Sequence, residues 1–325
     1  MTFSSKPERR GRRALVGAAL VAALAACGGG TSQYDPFVAV RVIAFGDEMS
    51  LITPDGRKYS VNATKTVTSP DGSTTVSLDC FAQPNWVQSL ANIYGFVFPG
   101  CNPNNVAEPK GIMRAEAGAK AADLARQVDA QVAAGGLRFG DIATVLAGLH
   151  DVIELYEQYP RLSQDELVSA AGERGREVAR QVNRLIELQA RVIISTIPDV
   201  SLTPYALKQR ALYTDTDRAA LISRITNSFN EQLQLNVLPD GRYVGLVQPD
   251  QLTQAMVRSP SSYGLNNVTT AVCLQNVPLV DCSDKTLVEN GTATNWMWAD
   301  DLRPAYSVHI RLGQLAIDRA QNNPF

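Results

Sequence analysis

The stretch VAVRVIAF, from Val38 to Phe45, is an apolar run rich in β-branched residues, and Gly46-Asp47-Glu48-Met49-Ser50 follows it directly. Such a run is typical of a strand that is buried on both faces, as the strands of parallel sheets are. The polar residues behind it then lie where the strand leaves the sheet, which is where open α/β sheets bind their ligands.

Similar runs recur along the chain and alternate with segments of helical periodicity. We predict three further strands, at Asp141–Ala147, Arg191–Ile197 and Tyr243–Val247. We predict helices at Trp86–Tyr94, Ala115–Ala134, Asp165–Ala190, Asp215–Leu235 and Pro304–Gln321. This alternation indicates βαβ units, and hence an α/β fold with a parallel sheet between two layers of helices.

One segment departs from this pattern. Ser50 to Leu78 contains Pro-Asp-Gly twice, at 54–56 and 70–72, with alternating Thr and Val residues around the second copy. Turn residues between alternating β-formers predict a β-hairpin, which we interpret as an excursion from the main sheet.

Four short blocks carry the candidate chemistry: Phe45 to Ser50, Ala115-Glu116-Ala117-Gly118-Ala119, Gly148-Leu149-His150-Asp151 and Ala299-Asp300-Asp301-Leu302-Arg303-Pro304. In this order they resemble the signature blocks of the SGNH/GDSL hydrolase family, which include Phe-Gly-Asp-Ser-Leu-Ser, Gly-x-Asn-Asp and Asp-x-x-His-Pro. The resemblance covers residues 37–325. It implies the SGNH-hydrolase fold, a flavodoxin-like three-layer α/β/α sandwich, and the hydrolysis of ester bonds.

The resemblance also implies a role for each position. Glu48 stands where the family has its serine nucleophile, His150 where it has the oxyanion-binding asparagine, and Arg303 where it has the histidine base. Gly118 would give a backbone N–H to the oxyanion hole, and Asp300 keeps the family's residue. A guanidinium stays protonated and cannot act as a base. The resemblance implies that positions 48 and 303 lie within hydrogen-bond reach, and here they carry opposite charges. We therefore expect a Glu48–Arg303 salt bridge in an inactive site, with Asp300 as a second carboxylate; the alternative is that Glu48 and Arg303 are solvated and unrelated.

Rescued chemistry would need other groups. The chain has two histidines. His309 is six residues past Arg303 on the last helix, so it faces another direction and is interpreted as a structural or a surface histidine. Ser50 is an alternative nucleophile. Glu48, His150 and Asp300 could together bind a metal, although Arg303 would oppose this, and we predict neither metal nor cofactor. Trp296 and Trp298 are expected to pack in the core, with lining of the cleft as the alternative.

The N-terminus has the pattern of an export signal. Basic residues up to Arg13 precede an apolar run from Ala14 to Leu24, which is too short to span a membrane. Cys27 follows Leu24-Ala25-Ala26 and resembles the lipidated cysteine of bacterial lipoproteins; an ordinary signal peptide is the alternative. We predict a signal peptide at 1–26, a lipidated tether at 27–36 and one hydrolase-like domain at 37–325.

Removal of residues 1–26 takes away five of the 30 Lys and Arg residues and one of the 32 Asp and Glu residues, which leaves a charge of −6. This acidic balance argues against a nucleic-acid partner. Four cysteines remain, and an even number in an exported chain suggests disulfides. Cys80–Cys101 and Cys273–Cys282 are the expected pairs because short loops close most easily; a zinc site is the alternative.

Three functions remain open on the sequence. The favoured one is a pseudoenzyme, a binding or scaffold protein held to a membrane by lipid on Cys27. Its partner would be an acyl or glycan ester or another protein. The alternatives are an active esterase or lipase with a rearranged site, and a metal-assisted hydrolase that uses Glu48 and His150. The expected location is the cell envelope, at the outer membrane, facing the periplasm or the cell surface.

Overall fold

The computed structural model describes residues 1–3 and 37–322, and residues 38 onward form one compact unit. The expected signal peptide, the tether and Cys27 lie outside the described residues, so the division at 26 and 36 stays a prediction. Among the described residues no helix is long and apolar enough to cross a membrane.

Nine strands and eight α-helices are described from residue 38 onward. The strands are β1 (Arg41–Gly46), β2 (Ala63–Thr68), β3 (Thr74–Asp79), β4 (Gly111–Met113), β5 (Asp141–Leu146), β6 (Arg191–Ser195), β7 (Val244–Val247), β8 (Asn267–Ala271) and β9 (Trp296–Trp298). The helices are α1 (Trp86–Ile93), α2 (Asp123–Ala133), α3 (Leu149–Tyr156), α4 (Gln164–Glu187), α5 (Pro204–Leu212), α6 (Arg218–Asn236), α7 (Pro249–Arg258) and α8 (Tyr306–Asn322).

Five of these strands form the main sheet, in the order β4-β1-β5-β6-β7, and every pair is parallel. Renumbered within the sheet, this is the order 2-1-3-4-5 of flavodoxin-like folds. Strand β5 is buried along its whole length, as is β1 from Val42 onward, so helices cover both faces. The predicted three-layer α/β fold is therefore confirmed, and the order reverses between β1 and β5.

The predicted β-hairpin is confirmed in part. Strands β2 and β3 pair antiparallel from Ala63↔Asp79 to Thr68↔Thr74 around the Pro-Asp-Gly turn at 70–72. The first Pro-Asp-Gly, at 54–56, closes a tight turn between Thr53 and Arg57 without flanking strands.

The helix expected at Ala115–Ala134 begins only at Asp123, so the start of this prediction was wrong. The N–H groups of Arg114 and Ala115 both donate to the carbonyl of Ala44, and that of Glu116 donates to Gly46. The chain there runs beside the end of β1 and cannot be helical. The block around Gly118 is consequently a loop against the first block and not the start of a helix.

Both predicted disulfides are present, Cys80–Cys101 and Cys273–Cys282. Each closes a loop outside the main sheet, and the second cross-links the segment that follows β8. The zinc alternative for these four cysteines is therefore wrong.

Candidate functional site

The first block turns sharply out of the sheet after β1. Gly46 has φ +119°, and a Cβ there would lie 1.8 Å from the carbonyl oxygen of Leu146, so only glycine fits between the two strands. Hydrogen bonds from Ser50 N to Asp47 O and from Leu51 N to Glu48 O close the turn. The turn places Glu48 at the carboxyl end of β1.

The third block leaves the neighbouring strand in the same manner. Gly148 has φ +133°, and a Cβ there would lie 2.4 Å from the ring of Phe229 on α6. The glycine lets the chain turn at once into α3, whose first turn contains His150. Glu48 and His150 therefore meet where the strand order reverses, which is the usual ligand-binding position of this sheet topology.

The last block is a tight turn organised by one carboxylate. Asp300 Oδ1 accepts the backbone N–H groups of Leu302 and Arg303 at 2.9 and 2.6 Å, and its Oδ2 accepts Nη1 of Arg303 at 2.9 Å. The side chain of Asp300 thus fixes both the backbone and the guanidinium of Arg303, which it directs at Glu48.

All five residues expected at the site come together around the Glu48 carboxylate. Its Oε1 accepts Nε of Arg303 at 2.8 Å and lies 2.8 Å from Nη2, so the predicted salt bridge is present. Its Oε2 accepts the backbone N–H of Gly118 at 2.9 Å. Nε2 of His150 lies 2.8 and 2.9 Å from the two oxygens. The Glu48 side chain is fully buried, whereas Arg303, His150 and Asp300 are about a quarter exposed (23%, 23% and 26%).

These contacts decide the protonation of the site. Burial would raise the pKa of Glu48, but the hydrogen bond and charge of His150, the charge of Arg303 and the N–H of Gly118 lower it to about 2. Burial opposes the charge of Arg303, yet the Asp300 and Glu48 carboxylates raise its pKa. Glu48 is ionised at neutral pH, so Nε2 of His150 carries the proton that points at it. The cluster therefore contains a satisfied acceptor, and Arg303 cannot serve as a base.

Two buried carboxylates lie beside the cluster, Asp47 and Asp151, and the sequence predicts no role for either. Asp47 is fully buried, and burial followed by the charge of Glu48 raises its pKa well above the ordinary value. One of its oxygens accepts the N–H of Met49, and the other has no partner among the described residues. Asp151 binds the N–H of Ala121 and the guanidinium of Arg174. No spacing in the sequence pairs Asp151 with Arg174, which is 23 residues away.

The two alternative candidates for catalysis, Ser50 and His309, are both in buried positions. Ser50 is buried and accepts the indole N–H of Trp86 at 3.2 Å. His309 is buried in α8, as expected for a structural histidine. Trp298 is fully buried and donates to the carbonyl of Val268, which confirms core packing, while Trp296 is partly buried. Within the described residues, no group of three or more His, Cys, Asp and Glu side chains is arranged to hold a metal ion.

Comparisons with known proteins give likenesses in structure only. No protein-family profile matches the chain, and no curated protein matches it. Among solved structures, the chain is similar to the acetylxylan esterase Axe2 of Geobacillus stearothermophilus, with 14% identity, 87% of this chain and 95% of that chain covered, and a TM-score of 0.41. A member of the lipolytic protein G-D-S-L family from Veillonella parvula DSM 2008 has 11% identity, 87% and 97% coverage and a TM-score of 0.39. The protein YXIM of Bacillus subtilis has 14% identity, 89% and 58% coverage and a TM-score of 0.36.

Proposed function

We propose that this chain is an SGNH/GDSL-type domain whose ester-hydrolysing site has become a closed ion-pair cluster, and that the domain binds a ligand or partner without hydrolysing it. One observation carries this proposal. The backbone N–H of Gly118, Nε2 of His150 and the guanidinium of Arg303 all converge on the carboxylate of Glu48 at 2.8–2.9 Å.

The first reason is that Glu48 takes the place of the reaction's own anion. An oxyanion hole consists of preorganised donors about 3 Å from the oxygen that becomes charged in the transition state. The family resemblance assigns that role to Gly118 and to position 150, and here both groups bind a permanent carboxylate. A substrate carbonyl would have to displace a buried, fully bonded charge to reach them.

The second reason is that no proton acceptor accompanies a nucleophile. Ester hydrolysis on this pattern needs a hydroxyl with a neighbouring base that takes its proton. Arg303 stays protonated, and Glu48 with a pKa of about 2 is too weak a base and too well bonded to attack an ester. Attack by a carboxylate would also leave an acyl anhydride.

The third reason is that the substitutions at 48 and 303 compensate each other. A buried carboxylate without a partner costs several kcal/mol, and breaking a buried pair costs about 3–5 kcal/mol. Glu48 alone would keep Gly118 and His150 as partners but lose the permanent positive charge at position 303. Arg303 alone would have Asp300 as its only carboxylate. The two residues together retain a stable fold at a site that no longer turns over substrate.

The proposed location follows from the N-terminus. The basic and apolar segment before Leu24-Ala25-Ala26-Cys27 supports export, and Cys27 is the proposed site of lipid attachment. The domain would then work at the cell envelope as an anchored protein. Metabolic labelling with a fatty acid tests this: label should be incorporated into the natural chain and absent from Cys27→Ser, whereas equal labelling of both would contradict it.

Hydrolysis is tested by comparing the natural chain with Glu48→Ser/Arg303→His on short and long p-nitrophenyl esters. We expect no turnover by the natural chain and measurable turnover by the double variant, because the double substitution restores a nucleophile and a base beside Asp300. Glu48→Ser alone is the matched control and should stay inactive because it lacks the base. Turnover by the natural chain that Glu48→Ala leaves unchanged would contradict the proposal and indicate another nucleophile.

A further inference from the structure

A groove begins beside the ion-pair cluster and leads away from it. It consists of two adjoining cavities of about 450 and 670 Å³, which share six lining residues including Lys208, Leu274 and Asp301. Asp300 lines the first cavity, and its carboxylate also binds Arg303. Volumes of this size are typical of sites for small molecules. The groove therefore extends from the proposed inactive site toward the outer face of α5.

One wall of the groove is a single face of α5. Thr203 caps this helix, and Pro204 occupies its first position. Leu207 and Ala211 are four residues apart, so they lie on the same side of the helix, and both line the second cavity. Ala211 and Lys208 are exposed. The helix thus presents a short aliphatic strip to the groove.

The opposite wall is the segment that follows β8, and it is held rigidly. The Cys273–Cys282 disulfide cross-links it, and Leu274 N donates to Thr286 O at 3.0 Å. Leu274 (39% exposed) faces the groove together with Val288. A preformed aliphatic cavity of this kind binds an apolar chain with little loss of conformational entropy.

Every charged group of the groove already has an opposite charge. Nζ of Lys208 lies 2.8 and 2.6 Å from the two carboxylate oxygens of Asp301, and Asp300 is paired with Arg303. Among the described residues that line the groove, an ionic head group would therefore find no unpaired counter-charge. Gln275 and Thr270 offer hydrogen bonds to an uncharged head group. Among the described residues that line the two cavities none is aromatic, so no ring is available for stacking against a sugar.

We propose that this groove binds an uncharged amphiphile with one aliphatic chain. The chain lies between Leu207, Ala211, Leu274 and Val288, and the head group lies toward Asp300 at the mouth of the ion-pair cluster. The inference rests on the proposed function in one respect, since the bound molecule stays intact because the adjoining site is inactive.

The test is isothermal titration calorimetry on the full chain, with three probes that share a decyl-length chain. The probes are 1-decanoylglycerol, decanoate and decyltrimethylammonium, each below its critical micelle concentration, and an acetylated xylobiose serves as the glycan probe. We expect 1-decanoylglycerol to bind at least tenfold more tightly than either ion, and no binding of the sugar. Ala211→Trp fills the aliphatic strip and should weaken 1-decanoylglycerol at least tenfold, while Leu235→Trp, on the exposed side of α6, should leave it unchanged.

Equal affinities for the three decyl probes, or equal effects of the two tryptophan variants, would overturn the inference. Binding of the acetylated sugar but not of 1-decanoylglycerol would overturn it in favour of a glycan.

Mass spectrometry of the same samples separates this inference from the proposed function. Release of decanoate together with binding sensitive to Ala211→Trp would support the groove and contradict the inactive site. Absence of both binding and release would contradict the groove alone.

Discussion

Replacing Arg303 by methionine should destabilise the protein far more than an average loss of an ion pair. The pKa of Glu48 falls from its ordinary 4.5 to about 2, and each pKa unit corresponds to about 1.4 kcal/mol. The partners of Glu48 therefore favour its charged form by about 3 kcal/mol beyond the cost of burial. Loss of one partner of a buried pair typically costs about 3–5 kcal/mol. Since Arg303 is 23% exposed, we expect a loss of about 3 kcal/mol at pH 7.

The loss of stability in Arg303→Met should depend on pH, because it comes from the ionised form of Glu48. The folded-state pKa of Glu48 lies below the unfolded value, so the stability that it contributes is complete above about pH 4.5 and is lost as the pH falls toward 2. In Arg303→Met the Glu48 carboxylate no longer has the positive charge of Arg303 beside it. Its pKa therefore rises, and it takes up a proton at a higher pH than in the natural chain. At pH ~3.5 the carboxylate of the natural chain is still ionised, so about two thirds of the destabilisation should remain. It should fall below half of its neutral value near pH ~2.5, where Glu48 is protonated in the variant and partly protonated in the natural chain.

Urea unfolding followed by tryptophan fluorescence measures these differences as shifts in the midpoint at constant slope. Lys208→Met is the matched control, since it breaks an ion pair whose side chains are 51% and 43% exposed and should cost less than about 1 kcal/mol. In addition, Glu48→Leu/Arg303→Met should be no less stable than Arg303→Met, because the double variant no longer buries the Glu48 carboxylate and Asp300 has lost Arg303 in both variants. A loss of stability in Arg303→Met as small as that in Lys208→Met, or one that does not depend on pH, would contradict a buried Glu48–Arg303 pair.

Three further outcomes follow from the same contacts. Burial lowers the pKa of His309 to about 3, so below pH 6.5 the unfolded chain takes up a proton that the folded chain does not. The unfolding free energy of His309→Leu, measured in urea, should therefore rise by about 2 kcal/mol relative to that of the natural chain as the pH falls from 7.5 to 5. A difference that stays constant over this range would contradict the prediction. A Cβ on Gly148 would clash with the ring of Phe229, whereas one on Gly118 meets nothing within 4 Å. Gly148→Ala should therefore lower the unfolding free energy by at least about 2 kcal/mol more than Gly118→Ala. Equal losses would show that only the backbone strain of a positive φ, which both positions share, affects stability. Glu48→Gly removes the carboxylate and leaves its donors, Gly118, His150 and Arg303, in place. Acetate should therefore raise the melting temperature of this variant and not that of the natural chain. An equal effect on both proteins would count against an anion site.

Much of the fold could be predicted because the central strands are decided by local pattern. Asp141–Leu146 and Arg191–Ser195 are apolar runs buried on both faces, and they were expected at nearly these bounds. The helix start at Asp123 could not be predicted, since residues 115–122 have helical composition and their backbone is bound by the end of β1, a contact 70 residues away in sequence. Tertiary contacts override propensity at such places. Strands of three residues, such as Gly111–Met113, have too little pattern to be recognised.

The candidate site could be predicted in its membership and only partly in its geometry. The order of the four blocks brought Glu48 and Arg303 together, and paired opposite charges suggested the salt bridge that is present. That His150 would contact both oxygens of Glu48 did not follow from the sequence, because only the turns at Gly46 and Gly148 set that distance.

Intact-protein mass spectrometry after treatment with an alkyl fluorophosphonate tests most directly whether the Glu48 carboxylate occupies the proposed anion site. Such a reagent modifies an activated serine and leaves a phosphonate in an oxyanion hole. We expect no adduct on the natural chain and a single adduct on Glu48→Ser/Arg303→His, located by proteolysis at position 48. An adduct on the natural chain, at Ser50 or at any other serine, would contradict the claim.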